Sequence, residues 1–318
     1  MHARVISSDG PVISTSDFVR QRALFEGVLG LVPTAEATLD VGTTAALFGV
    51  RDRTARVQRL VTPGTSLGVM LVRFEPLEQT VIRPGGVGIQ TDALKVVDFF
   101  TTDLDRAVAR LSTFGFDLVG PPALLELPTG ETFQEAHVRA PDGVIVAFIH
   151  PLKARIGDYV SVTDRLFSEV QSCSGPVTEL EPVQAFYELG LGLACGLQYE
   201  FESESFGRMV GAGGASRVRA RNFGRVVEDV MLGLIHYGLP SGFAPSLREV
   251  CRAPNRGLVA VQLTVEGLDA LVDRCRAGGC EVVVPPTRLD TLPWGPSRVA
   301  TLRGPHGVAH LLREVLTS

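Results

Sequence analysis

The sequence predicts an α+β chain of four repeated β-α-β-β-β modules, and three observations predict it. The first is a block that occurs twice. Residues 103–151, DLDRAVARLSTFGFDLVGPP…LPTG…APDGVIVAFIHP, return at 267–316 as GLDALVDRCRAGGCEVVVPP…LPWG…GPHGVAHLLREVL. Asp105 aligns with Asp269, Pro121-Pro122 with Pro285-Pro286 and Gly143 with Gly307, each 164 residues apart. The second is a fainter repeat at 162 residues: SDFVRQRALFEGVLGL (16–31) against TELEPVQAFYELGLGL (178–193), with Asp17 opposite Glu179 and Leu29-Gly30 opposite Leu191-Gly192. The third is hydrophobic periodicity, alternating in some stretches of each copy and helical in another. A repeat of this length fixes the architecture before any single element is assigned.

Each clear copy opens with an alternating run, KVVDFFTT (95–102) or LVAVQLTV (258–265), which predicts a strand. A helix follows, with Leu104, Val108 and Leu111 in one copy and Leu268, Leu271, Val272 and Cys275 in the other on a single stripe. Gly115 and Gly278-Gly279 end those helices, because glycine takes the left-handed conformation that closes a helix. A second strand, FDLVG or CEVVV, is expected to stop at the double proline, which lacks the N–H groups a central strand needs. A third strand, QEAHVRA or SRVATLR, leads into an APDG or GPHG turn, and VIVAFIH or VAHLLRE closes the module. In the fainter copies ARV (55–57) matches SRV (216–218), and VMLVRFEP (69–76) matches LGLIHYGL (232–239). The modules are thus placed at 8–76, 93–152, 168–239 and 256–316. They are grouped into an N-terminal domain over 1–153 and a C-terminal domain over 154–318.

Composition narrows the function classes. The 318 residues are 45% hydrophobic and 20% charged, as in an ordinary folding chain. A net charge of −5 with scattered basic residues argues against a nucleic-acid partner. The one basic cluster, RVRARNFGR (217–225), alternates as a strand with one polar face. No run approaches the roughly 18 apolar residues of a membrane span, and no signal peptide is evident, so a cytoplasmic protein is expected. Five cysteines without framework spacing suit buried thiols in a reducing compartment. GAGGAS (211–216) lies between strand-like runs and opens no helix, so it reads as a loop tip.

The pattern resembles the vicinal-oxygen-chelate superfamily, which includes glyoxalase I, extradiol dioxygenases and bleomycin-resistance proteins. The residues that carry the resemblance are the helix-entry Asp17 and Asp103, the AFYELGLGL run (185–193), the PP–LP–G signatures and the PDGV and PHGV turns. It extends over almost the whole chain. The resemblance implies that modules pair into two half-open barrels, each with a concave face that takes a ligand. It also implies where a divalent metal would be held, on the first and last strands of each module. Those positions are Gly10, Val96, Ser172 and Ala260 on first strands, and Met70, Ala147, Gly233 and Leu311 on last strands. None offers a good metal donor, whereas such a site wants converging imidazoles and carboxylates. No cofactor is therefore expected. A metal stays open only under a different strand register, in which His310 becomes a donor.

Asp98 alternates onto the cavity side of its strand, where a carboxylate among apolar groups has a raised pKa and can act as base or orienter. Ser172 (with Ser174), Gln262 and Thr264 occupy the matching strands of modules three and four. Arg313 shares the concave face of the final strand, where it could hold an anionic oxygen, while His310 faces the helix side. His236 at the end of module three is a candidate general base. Trp294 of LPWG could stack on a flat ligand or cap a module interface. His137 and His150 read as surface or strand-end residues, and His2 carries no signal.

Two functions follow as expectations. The leading one is metal-independent binding of a largely apolar small metabolite in a bowl, for sequestration, carriage or resistance. The alternative is an enzyme on such a metabolite, an isomerase, cyclase, lyase or ring-cleaving dioxygenase, with Asp98 or His236 supplying acid–base chemistry. The expected partner is a small molecule; homodimerisation is left open.

Overall fold

The computed structural model describes residues 3–85, 88–240, 242–290, 292 and 294–316; His2 lies outside them. Module one runs β1 (Arg4–Ser14), α1 (Phe18–Arg22) widening into π-helical turns over Ala23–Val28, β2 (Val32–Leu39), α2 (Val41–Phe48), β3 (Thr54–Val61) and β4 (Gly68–Glu75). Module two comprises β5 (Val96–Thr101), α3 (Leu104–Thr113), β6 (Ala123–Glu126), β7 (Thr132–Arg139) and β8 (Ile145–Pro151). Module three repeats the first plan: β9 (Phe167–Pro176), α4 (Leu180–Ala185) with π-helical turns over Phe186–Leu191, β10 (Cys195–Ser203), α5 (Glu204–Val210), β11 (Ser216–Phe223) and β12 (Met231–His236). Module four is β13 (Gly257–Glu266), α6 (Leu268–Ala277), β14 (Glu281–Leu289), β15 (Ser297–Arg303) and β16 (Ala309–Val315). The four-module α+β plan is the one the repeat predicts. The helices α2 and α5, between the second and third strands of modules one and three, are additions to it.

Local chemistry explains the helix starts. The Asp17 carboxylate accepts the Arg20 N–H at 2.9 Å, and Asp103 accepts that of Arg106 at 3.0 Å, as N-caps do. Module four has Gly267 at this position, with φ at 69° and no side chain to cap with. Glu314 of β16 takes over, its Oε1 accepting from Gly267 N at 2.7 Å and Leu268 N at 3.2 Å. The α6 stripe of Leu268, Leu271, Val272 and Cys275 is buried as its spacing predicts. The turn glycine Gly143 has φ at 76°, and a Cβ there would stand 2.0 Å from the Arg83 carbonyl oxygen. Only glycine fits.

Two second strands correct the expectation about the double prolines. In module two the strand forms after Pro121-Pro122, over Ala123–Glu126, and Leu118 makes only an isolated bridge to Val138. In module four β14 runs through Pro285-Pro286. Its pairing with β15 shifts register between Val284 and Thr287, so the ladder skips the prolines. Because β14 is the edge of its sheet, the missing N–H groups break no inner ladder.

The sheets pair the modules in a way the two expected halves do not. One eight-stranded sheet has the order β14-β15-β16-β13-β1-β4-β3-β2, joining modules one and four; the other, β10-β11-β12-β9-β5-β8-β7-β6, joins two and three. Each junction is antiparallel and formed by first strands, β1 with β13 and β5 with β9. A boundary at 153/154 separates modules two and three, but each sheet draws strands from both sides of it. Pairing of successive modules within each half is therefore corrected to pairing of the outer two and of the inner two. Each sheet curls into a half-open barrel. Among the described residues no helix is long and apolar enough to cross a membrane.

Candidate functional site

Residues at one offset in the two clear copies decide which bowl is open. In the inner bowl Asp98 of β5 pairs with Ala147 of β8, and Ala147 pairs with His137 of β7. Laterally adjacent residues share a sheet face, so all three look into the bowl with only a methyl between the outer two. The counterparts 164 positions on are Gln262, Leu311 and Thr301, joined in the same order. Across the junction the inner bowl has Ser174, Gly233 and Asn222 on one rung, where the outer bowl has Val12, Met70 and Arg59. Ala and Gly leave room; Leu and Met take it.

Helices and loops complete the contrast. Thr301 Oγ1 donates to the Leu47 carbonyl at 2.6 Å, fixing α2 across the outer bowl, and Phe48 packs edge-on against Phe74 at 5.3 Å. Trp294 adds its indole there, and the remaining space is about 20 Å³. The corresponding loop of module two carries Thr129, at the rim of an inner cavity of about 530 Å³. Aromatic rings line that cavity: Phe100, stacked on Tyr159 at 5.2 Å, with Phe133 edge-on to both. Phe206 of α5 contributes a further wall, with Phe201 and Tyr237 against it.

Polar groups gather on the floor. Asp98 is 7% exposed, and Ser172 and Ser174 both donate to its Oδ2, the latter at 3.5 Å. Burial in the apolar bowl, with the Glu135 carboxylate nearby, pushes Asp98 up from 3.8 to about 7, against the lowering effect of the two hydroxyls. Glu135 Oε1 and His137 Nε2 stand 2.7 Å apart, with His137 only 3% exposed. Gln171, Tyr199 and Asn222 face the same space. Burial pushes the Tyr199 and Tyr237 hydroxyls up, so both remain protonated donors.

The sequence candidates fall into three places. Asp98 and Ser172 meet in the open bowl. Gln262 and Arg313 line the closed one beside Trp294, while Thr264 donates to Asp9 at 2.7 Å and receives from Arg313 at 3.3 Å on the same side. His236 lies outside both, in a shallow groove, where its Nδ1 accepts from Gly238 N at 3.1 Å; burial and the Arg219 guanidinium hold its pKa below the usual value. Asp98 and His236 are therefore not brought to one cavity. His137, expected at the surface, is the imidazole that is. The signal was in QEAHVRA: Glu135 and His137 are two apart on a strand, hence on one face. His310 does face the helices, buried against Tyr187.

The floor does not fit a divalent metal of the kind this fold carries elsewhere. Ala147 and Gly233, at the last-strand positions, have no donor atom. Among the described residues no three His, Cys, Asp or Glu side chains converge as a metal would require.

Four β-α-β-β-β modules closing two bowls make the vicinal-oxygen-chelate fold. Glyoxalase I from Zea mays has it, superposing with a TM-score of 0.62 at 14% identity over 98% of this chain and 92% of that one. A proposed dioxygenase from Bacillus subtilis superposes at 0.59 with 11% identity, over 100% of this chain and 87% of the other. No family model and no curated protein matches the sequence.

Proposed function

We propose that the inner bowl binds a largely apolar small molecule without a metal, for sequestration, carriage or resistance. The observation that carries this reading is the 530 Å³ cavity, walled by aromatic rings and mostly apolar in its exposed surface, with polar groups set at the floor. That size and lining are typical of small-molecule sites. The test is a metabolite screen by thermal shift, because a ligand that binds only the folded chain raises its melting temperature. Hits are then repeated on Ala147→Leu and Thr129→Trp, which import the residues that close the outer bowl. Ligand-dependent stabilisation in the native chain that disappears in both variants supports the reading. No hit, or hits unaffected by both, rejects it.

A second reading is favoured by one observation: a carboxyl that titrates near neutral pH within the same bowl as a His–Glu pair. Such groups suit proton transfer, as in an isomerase, cyclase or lyase, and the similar folds include glyoxalase I and a proposed dioxygenase. His236 has no part in it. Turnover of a bound ligand that Asp98→Asn abolishes, while binding persists, would select this reading over simple binding. Elemental analysis of purified protein separates both from a metal enzyme.

A further inference from the structure

We infer that the ligand of the inner bowl carries a positive charge, a protonated amine or amidine on a flat apolar body. This rests on the binding reading above and names the class of ligand. The charge balance of the lining carries it. Asp98, Glu131, Glu135 and Glu200 line the cavity, whereas Arg221 is its only Lys or Arg among the described residues. Arg221 is already matched, 3.6 Å from Glu200. Glu135 has His137 Nε2 at 2.7 Å, and the buried Lys95, whose Nζ lies 3.5 Å from the Tyr237 hydroxyl, also acts on it. No Lys or Arg is paired with Asp98 among the described residues.

The hydrogen bonds leave the same opening. Ser172 and Ser174 both donate to Oδ2 of Asp98, and no described group donates to Oδ1. Gln171, 7% exposed, offers only a 3.5 Å contact from Nε2 to the Met231 sulfur, and its Oε1 accepts nothing among the described residues. The unpaired Oδ1 of a carboxyl, set on a floor walled by ring faces, is what an ammonium or amidinium group satisfies. The carboxylates supply charge-assisted hydrogen bonds and the rings supply cation–π contact. An anionic ligand would meet like charge at the Asp98 and Glu135 carboxylates.

Matched probes test the charge separately from the cavity. One set is 1-naphthylmethylamine, 1-naphthylmethanol and 1-naphthoate; the other is 9-aminoacridine, acridine and acridine-9-carboxylate. Each is titrated by its own fluorescence into the native chain, Asp98→Asn and Glu135→Gln between pH 6 and 8.5. The expected result is tightest binding by the amines, weakened about ten- to a hundredfold in Asp98→Asn, the range of a lost charged hydrogen bond. Their affinity should rise through pH 7 as Asp98 ionises, and that rise should vanish in Asp98→Asn. The titratable and charged groups around Asp98 are Glu135 and His137 from β7, Cys173 from β9, Tyr199 from β10, Arg221 from β11, Tyr237 after β12 and, against Tyr237, Lys95. Burial lowers Lys95 to about 7, so a Lys95→Met control separates its titration from that of Asp98. Cys173 and both tyrosines are pushed up by burial and stay neutral across this range. Glu135→Gln reports on the Glu135–His137 pair. Neutral or anionic probes binding as tightly as the amines would overturn the charge inference and leave the binding reading standing. Failure of all six probes would count against both.

Discussion

The Asp98→Asn variant should be more stable than the native chain at pH 8 and equal to it near pH 4. Asp98 is held at about 7 in the folded protein against an ordinary 3.8, first by burial and then by Glu135. Between those values the folded chain keeps a proton that the unfolded chain has released. Native stability therefore falls as pH rises from about 4 to about 7, and levels off above. One group changes stability by at most about 1.4 kcal/mol per pH unit, so a shift of about three units sets a ceiling of roughly 4 kcal/mol. Relaxation of the cavity around the carboxylate brings the expected difference to about 2–4 kcal/mol at pH 8. Asparagine never ionises, and its carbonyl can still accept from Ser172, so it removes the charge without orphaning the hydroxyl. For a chain of this size the difference corresponds to a melting-temperature gain of roughly 3–6 °C. Melting curves of both proteins by circular dichroism, at half-unit steps from pH 4.5 to 8.5, give the difference directly. Groups that titrate identically in both proteins cancel. A difference independent of pH, or a variant that loses ground as pH rises, would refute the reasoning.

Acid should act in the opposite sense through His306 and His310, buried around the Tyr187 hydroxyl at 3.1 and 3.4 Å. Burial drives both imidazoles down, His306 to about 3, so stability is lost as pH falls below the ordinary 6.5; the unfolding free energy of His306→Asn should show a shallower slope between pH 6.5 and 4.5. Gly233→Ala would place a methyl 2.6 Å from Ser174 Cβ and 2.7 Å from Asn222 Oδ1. Urea titration should give a loss of about 1–3 kcal/mol, and ligand-dependent thermal shifts should shrink. Phe48→Ala should cost about 3–5 kcal/mol by the same measurement, because the ring is 6% exposed and fills the outer bowl. A cost below about 1 kcal/mol would mean that α2 does not plug the bowl as described.

Much of the fold was legible because its signals are local. The helix-entry aspartates cap as their positions suggest, and the PDG turn needs its glycine. The double prolines misled because their consequence depends on where the strand sits. Pro285-Pro286 is tolerated at a sheet edge with a register shift, and neither fact can be read from the residues alone. The site was legible by halves. Alternation placed Asp98 and Ser172 on the concave side, where they meet. His236 is a candidate base by residue type, yet the final strand of module three ends there and turns the imidazole into a groove. His137 reads from the sequence as a surface or strand-end residue, and only its rung with Ala147 and Asp98 gives it a cavity to face.

By itself the sequence determined the four modules and the residues at each ligand position: Ala147 and Leu311, Met70 and Gly233. Tertiary structure alone decided that the inner modules share one sheet and the outer modules the other. The reason is physical. Alternation tells a strand which face to bury, but the choice of neighbour lies in long-range edge pairing, which no local pattern encodes. That choice gathers alanine and glycine in one bowl, and leucine and methionine in the other. One bowl is left open around Asp98, and its twin is filled.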